Sequence, residues 1–342
     1  MIDRASQPVC SVCIPNYNGV GLLQACIESV LAQDCGFALE IIVHDDASTD
    51  GSVAWIRQNF PSVVLIESAE NVGFCIANNR MAKVAKGEYL LLLNNDAELL
   101  PNALGALHSA AVSLKQPAIL GLPQYDAASQ ALIDRGSVFD PFLNPIPNLD
   151  PARQDVGMVI GACLWIPRAL WEDLDGFPEW FGSMAEDMYL CCLARLRGCP
   201  VRIVPDSGFR HWVGHSFGGG KVLPGMRLAT SIKRRTLSER NKCFVMVMTY
   251  PAPLFQLLFP LHLLLLLLEG GLLAILKRDG NLWSAIYLAT FRSLWRERAR
   301  LWTLRHQIQR GRRLPKLHFF GVFTLMPHKL RMLLRHGLPH VS

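Results

Sequence analysis

Between residues 9 and 114, short apolar runs alternate with segments of helical length, and this alternation restricts the fold more than any other feature of the chain. The runs at 9–14 (VCSVCI), 40–43, 63–67 and 88–93 (EYLLLL) read as strands. Segments 22–32, 52–59, 74–86 and 101–114 read as helices, the last opened by Pro101 at a first-turn position. A strand covered on both faces needs no polar face, so the unbroken hydrophobicity of 88–93 marks a central strand of a parallel sheet. The pattern predicts an α/β fold: a Rossmann-like, mostly parallel sheet flanked by helices.

Beyond residue 124 the pattern breaks. Residues 125–154 are rich in Pro, Asn and Asp with weak periodicity and read as a variable loop. A strand returns at 158–167, then helices at 168–174 and 187–197 and a strand at 201–204. The expected organisation is a catalytic domain over 1–220, a transition over 221–250 and an apolar, basic region over 251–342. Ten cysteines in 342 residues are too few for a disulfide scaffold, and no secretory start precedes Val9, so the thiols are expected to be reduced, buried and structural.

Open parallel sheets bind ligands outside the carboxyl ends of their strands. Polar clusters stand at three of those ends: Pro15, Asn16, Tyr17 and Asn18; His44, Asp45 and Asp46; and Asn94, Asn95, Asp96 and Glu98. Glu186 and Asp187 open a later helix. No G-x-G-x-x-G or G-x-x-x-x-G-K-[ST] follows a strand, which excludes a Rossmann dinucleotide site and a P-loop. Strand-end carboxylates can instead hold a divalent cation that neutralises a diphosphate.

The segments VCSVCIPNYNG, IIVHDDASTDGS, NVGFCIANNRMAKVAKGEYLLLLNNDAELLPNAL and GACLWIPRALWEDLDGFPEWFGSMAEDMYLCCLARLRG resemble family 2 of the glycosyltransferases, most nearly its rhamnosyltransferase-like members. The resemblance runs from about residue 9 to 215. It implies an inverting enzyme of the GT-A fold that uses a nucleotide-sugar donor and Mg²⁺ or Mn²⁺. By position, Pro15 and Tyr17 would border the nucleotide base, Asp46 would hydrogen-bond it, and Asn95 would lie at the ribose. Asp96 would bind the metal, in a motif where Asn94 and Asn95 replace acids common in relatives. Asp187 would be the catalytic base, taking the acceptor proton as the new bond forms. His211 would be a third metal ligand or a structural histidine, and the same alternatives hold for His215. Asn71, Gly73 and Asn79 match a further family segment and serve either the donor or a turn and helix packing. Trp180 and Phe181 shape an acceptor pocket or the core. The processive string Q-x-x-R-W is absent, which points to single transfer to a lipid-linked or cell-surface glycan. The amides at 94–95 and Tyr189, where relatives often place an acid, leave a rival reading: a weak or inactive nucleotide-binding scaffold subunit.

The chain is 51% hydrophobic and 18% charged, against about 25% charged in a usual soluble domain. The excess is concentrated in residues 254–276, with Pro260, His262, Glu269 and Gly270-Gly271 interrupting it. Residues 277–342 hold fourteen Lys and Arg against two acids, a net +12 that leaves −6 on the rest of a chain whose total is +6. Trp283, Tyr287, Phe291, Leu294 and Trp295 recur at helical spacing among arginines, the pattern of an interfacial helix on anionic lipid. These features predict a peripheral or monotopic protein on the cytoplasmic side of the inner or plasma membrane, with residues 254–276 in the leaflet or, as a second reading, spanning it. Nucleic acid is not an expected partner, since the leucine-rich run and the sugar-transfer motifs account for the basic and aromatic sequence.

Overall fold

A computed structural model describes residues 7–212, 219–223, 227–336 and 340–341. They divide into two compact units. The first is built from residues up to Ser137, Pro147–Ala194 and Cys199–Trp212; the second from Val138–Ile146, Arg195–Gly198 and the described residues after Trp212.

The strands that position the site are β1 (Cys10–Asn16), β2 (Leu39–Asp45), β3 (Val64–Glu67), β4 (Tyr89–Leu93), β5 (Ala97–Leu99), β6 (Ile119–Gly121), β7 (Gln124–Asp126), β8 (Leu132–Asp134), β9 (Cys163–Pro167), β10 (Val201–Ile203) and β11 (Phe209–His211). The main sheet has the order β10-β6-β9-β4-β1-β2-β3. Strands β4, β1, β2 and β3 run parallel, while β9 is antiparallel to both neighbours. Helices α1 (Val20–Leu31), α2 (Ser52–Asn59), α3 (Phe74–Val84), α4 (Ala103–Ser113), α5 (Arg168–Asp173) and α6 (Glu186–Leu196) accompany the sheet.

Local sequence explains this layering. Leu23, Cys26, Ile27 and Val30 of α1 recur at helical spacing and form one face, which packs with Val12, Ile14, Val43, Leu91 and Leu93 in a single core. All five residues of β4 are buried, as its continuous hydrophobicity predicts. A second, four-stranded sheet, β5-β11-β7-β8, draws β7 and β8 from the stretch read above as a loop. Three-residue strands are too short to show alternation in sequence. The cysteines are free thiols, most of them buried.

In the second unit, α7 (Ile232–Thr249) and α8 (Leu254–Lys277) are followed by α9 (Ala289–Arg296), α10 (Arg298–Arg310) and α11 (His328–His336). Arg235 near the start of α7 pairs with Glu269 late in α8, and Cys243 Sγ meets His262 Nε2 at 3.5 Å, so the two helices run antiparallel. Lys329 joins this pair at 2.8 Å from Glu269, and Lys242 lies 2.8 Å from Glu239. Burial would raise the Glu239 carboxyl, yet Lys242, Lys329 and Arg235 together hold it well below the usual carboxylate range. Along α8 only Phe255, His262, Leu266, Gly270 and Leu273 are buried, a stripe one side wide. A Cβ at Gly270 would clash with Tyr287 at 2.6 Å, so a glycine there permits the close approach.

The aromatic stripe at 283–295 departs from expectation. Tyr287 is fully buried, and Trp283, Phe291 and Leu294 pack against the α7 and α8 core; of the five, Trp295 alone is exposed. Helical period reveals that a face is apolar but not what covers it, and here the cover is protein. The bare apolar face belongs to α8 instead, through Leu257, Leu261, Leu264, Leu268, Leu272 and Ile275.

Two neighbouring leucines test this division. Leu266 is 2% exposed and Leu268 61%. Leu266→Ala is expected to destabilise the chain by about 2–5 kcal/mol in urea unfolding, and Leu268→Ala by less than about 0.5 kcal/mol.

Candidate active site

The carboxyl ends of β1, β2 and β4 are laced together by side chains. Asn16 Nδ2 donates to Asp45 Oδ2 at 2.9 Å, and Asn95 Nδ2 donates to Asn16 Oδ1 at 2.8 Å. Asp45 Oδ1 in turn accepts from Ser48 N at 2.9 Å. A Cβ at Gly19 would collide with both Asn95 and Asn16, so this crossing requires a glycine. Asp46 accepts from Val72 N at 2.7 Å and Gly73 N at 2.9 Å, one bond on each oxygen, which leaves each oxygen a further lone pair. Gly73 has a φ of +87°, a conformation that favours glycine. Tyr17 is 54% exposed and Pro15 half-buried beside this network.

Asp96 follows β4 and His211 ends β11. The small sheet joins them, since His211 pairs with Ala97 in the β11–β5 register. Asp96 Oδ1 lies 3.1 Å from His211 Nε2 and has no hydrogen bond of good geometry. Trp212 N donates to the Asp96 main-chain oxygen at 3.1 Å, which fixes this corner. Among the described residues no set of three or more His, Cys, Asp or Glu converges on one point. One carboxylate and one imidazole nonetheless fit Mg²⁺ or Mn²⁺, which take few protein ligands and complete their shell with water and substrate phosphates. The under-bonded, buried Asp96 oxygen is what a missing cation would leave. His215 lies outside the described residues.

Asp187 stands at the opening of α6, after two non-glycine residues of positive φ, Met184 (+72°) and Ala185 (+66°). Such strain persists only where surrounding structure fixes it. Asp187 Oδ2 accepts from Gly161 N at 3.0 Å and Oδ1 from Met188 N at 2.7 Å. Asn94 N donates to Ala162 O at 3.0 Å, so the loop that holds Asp187 is bonded to the segment that carries Asp96. Burial, and after it the neighbouring Asp187 carboxylate, pushes the Glu186 carboxyl up to about 8. Burial also raises Asp187, against backbone hydrogen bonds that favour its charged form. Glu186 therefore holds its proton at neutral pH, while the backbone amides of Gly161 and Met188 favour the charged form of Asp187 against its burial.

Three groupings result: Asn95 with Asn16 and Asp45; Asp96 with His211; and Asp187 with Gly161. Asn79 serves packing, holding Phe177 through Oδ1 to Phe177 N at 3.0 Å and Nδ2 to Phe177 O at 2.8 Å. Phe181 is fully buried and meets Trp180 edge-on at 4.8 Å. Sequence reasoning missed Asp45 as the anchor of the strand-end network, Gly161 as the partner of Asp187, and Gln124, whose amide meets His211 Nδ1 at 2.9 Å. Gly161 had a visible signal as a glycine inside the apolar run 158–167, of which only Cys163–Pro167 is strand; Gln124 had none.

Comparison with known proteins bears on the family and the fold. The model for Glycosyl transferase family 2 matches residues 11–172. An uncharacterized glycosyltransferase of Escherichia coli K12, YibD, is 38% identical over 105 residues, 30% of each chain. An N-acetylglucosaminyl-diphospho-decaprenol L-rhamnosyltransferase of Mycobacterium tuberculosis is 26% identical over 210 residues, 53% of this chain and 68% of that one. A mannosyltransferase of Pyrobaculum calidifontis, solved with GDP-Man and Mn²⁺, superposes with a TM-score of 0.50 and 20% identity over 92% of this chain and 88% of its own. The last shares the fold, a GT-A arrangement.

The Glu186 carboxyl has a folded pKa above its ordinary 4.5, so its contribution to stability is fully present below about 4.5 and is lost as pH rises toward about 8. Thermal unfolding of the wild type is expected to shift to lower temperature across that window. Glu186→Gln, which mimics the protonated acid and cannot ionise, removes this pH-dependent loss; parallel Tm profiles for the two proteins would contradict the assignment.

Proposed function

We propose, from the match of the Glycosyl transferase family 2 model to residues 11–172, that the chain is an inverting, non-processive glycosyltransferase that moves a sugar from a nucleotide-sugar donor to a lipid-linked or cell-surface glycan. The observation that carries this reading is a pair of separate acids: a buried carboxylate beside a histidine at Asp96, after β4, and a carboxylate at Asp187, at the opening of α6, held by two backbone amides beside a protonated neighbour. The acceptor hydroxyl oxygen bonds to the anomeric carbon as the bond from that carbon to the diphosphate oxygen breaks. Asp187 takes the hydroxyl proton, and the electron pair leaves with the nucleoside diphosphate. A divalent cation, Mg²⁺ or Mn²⁺, would supply positive charge for the leaving diphosphate. Asp96 and His211 would hold it, Asn95 would meet the ribose, and Pro15, Tyr17 and Asp46 would frame the base.

Support for the donor class comes from the mannosyltransferase neighbour, whose structure contains GDP-Man and Mn²⁺. Support for a lipid-linked acceptor comes from the mycobacterial relative, whose name specifies a diphospho-decaprenol substrate. The second unit suits such an acceptor by holding the protein at a membrane, on its cytoplasmic face. Helix α8 is 24 residues long, and its most apolar 18-residue window has a mean hydropathy of 2.1 and is only 22% buried. Its other side is bonded to the polar half of α7 through Arg235 and Glu269. A span across the bilayer would carry that charged helix with it, so α8 lies in the plane of the leaflet with its leucine face immersed. Exposed Lys277, Arg278, Arg292, Arg296, Arg298 and Arg300 offer charge to anionic headgroups. The amides at Asn94 and Asn95 favour one rival, a nucleotide-binding scaffold without turnover.

Incubation with a panel of nucleotide sugars in Mn²⁺ separates the two. Turnover of one donor, reduced about 10²–10⁴-fold by Asp187→Asn with donor binding retained, is the expected result; nucleotide binding without any turnover across the panel would establish the scaffold. For the membrane, the full chain is expected to float with anionic vesicles. Leu264→Ser/Leu268→Ser/Leu272→Ser should then remain in the soluble fraction, and undiminished flotation of that variant would remove α8 as the anchor.

A further inference from the structure

The Gln124 side chain is buried, at 4% exposure, and has no place in the sequence motifs. It heads β7, which runs parallel to β11 with Gln124 opposite Phe209. Residues two apart on a strand share a face, so Gln124 and His211 lie diagonally on the same side of the small sheet. Their contact is direct, with the Gln124 amide nitrogen 2.9 Å from His211 Nδ1, and His211 is itself 7% exposed. The other ring nitrogen, Nε2, points to Asp96 Oδ1 at 3.1 Å.

The Gln124 contact bears on where the imidazole proton sits. An amide N–H that donates to Nδ1 leaves Nδ1 an acceptor, so the neutral ring carries its proton on Nε2, the nitrogen 3.1 Å from Asp96 Oδ1. That tautomer cannot ligate a cation through Nε2, because the lone pair is not available there. Ligation requires the proton on Nδ1, and Nδ1–H requires an acceptor. Gln124 has one in the same side chain: half a turn about its last torsion exchanges Nε2 for Oε1 at the same place, with no movement of backbone.

We propose that Gln124 is a positioning residue that sets the tautomer of His211 and turns its amide over when the site takes a divalent cation. In the empty site the amide donates to Nδ1 and the ring proton is on Nε2. On loading, the ring proton leaves Nε2 and an equal proton is taken up at Nδ1, which then donates to Gln124 Oε1. The ring stays neutral and no net proton is released by the histidine. This inference rests on the reading that Asp96 and His211 hold a cation, and it adds a residue that touches neither cation nor substrate.

The test uses the full chain with Mn²⁺ alone, followed by loss of the free-ion EPR signal, and ¹⁵N NMR of histidine-labelled protein with and without Mg²⁺, His211 being assigned from the His211→Gln spectrum. The wild type is expected to bind Mn²⁺, and its His211 ring signals should exchange from the Nε2–H to the Nδ1–H pattern on addition of Mg²⁺. Gln124→Leu, which offers Nδ1 no acceptor, should weaken Mn²⁺ binding about 10–100-fold. Gln124→Glu, which can only accept, should keep or tighten binding and show the Nδ1–H pattern before any cation is added. A purely structural role would weaken both variants together and leave the tautomer pattern unchanged. Wild-type binding that Gln124→Leu does not diminish, or a His211 pattern identical with and without Mg²⁺, overturns the inference while leaving the metal site intact. No Mn²⁺ binding by the wild type overturns the metal reading and this one with it. Should Gln124→Leu fail to fold, the Gln124→Glu pattern and the wild-type exchange decide the matter.

Discussion

The site depends on the antiparallel pairing of β9 with β4. Leu93, the last residue of β4, pairs with Cys163, the first of β9, and the bond from Asn94 N to Ala162 O extends the pairing by one step. Because the strands run in opposite directions, the end of one meets the start of the other. Gly161, which holds Asp187, therefore stands beside the turn that presents Asp96. Had β9 been parallel, its first residue would lie at the opposite edge of a five-residue strand, about 15 Å away at about 3.3 Å per residue.

Burying so many acids at one edge requires that each be neutralised differently, and the local structure does this without a cluster of cations. Asp45 and Asp46 are bound by backbone amides and Asn16, Asp96 faces a histidine, and Glu186 holds its proton. Asp187 accepts from two backbone amides, which favour its charged form against burial, and has a protonated acid as its neighbour. Differences in environment thus set residues of one type apart.

The parts of this arrangement legible in sequence were those with a period or a motif. Continuous apolarity identified β4 as a central strand, and α1 was visible from Leu23, Cys26, Ile27 and Val30 at helical spacing. The strand-end clusters were visible because turns after parallel strands must be polar. The small sheet was not legible, since three-residue strands leave no alternation, and with it Gln124 was lost. The stripe from Trp283 to Trp295 had the correct period, but its partner is the protein core, a fact that depends on Gly270 of α8 allowing Tyr287 to approach.

The function proposed above joins a sheet edge with two separated acids to a helix with a bare leucine face: in that proposal a sugar passes in a single displacement to an acceptor presented at a membrane. Single displacement has a stereochemical signature. Proton NMR of the transfer product, recorded before any mutarotation, measures the configuration at the transferred anomeric carbon. The account predicts inversion relative to the donor; a product with retained configuration would contradict direct attack assisted by Asp187.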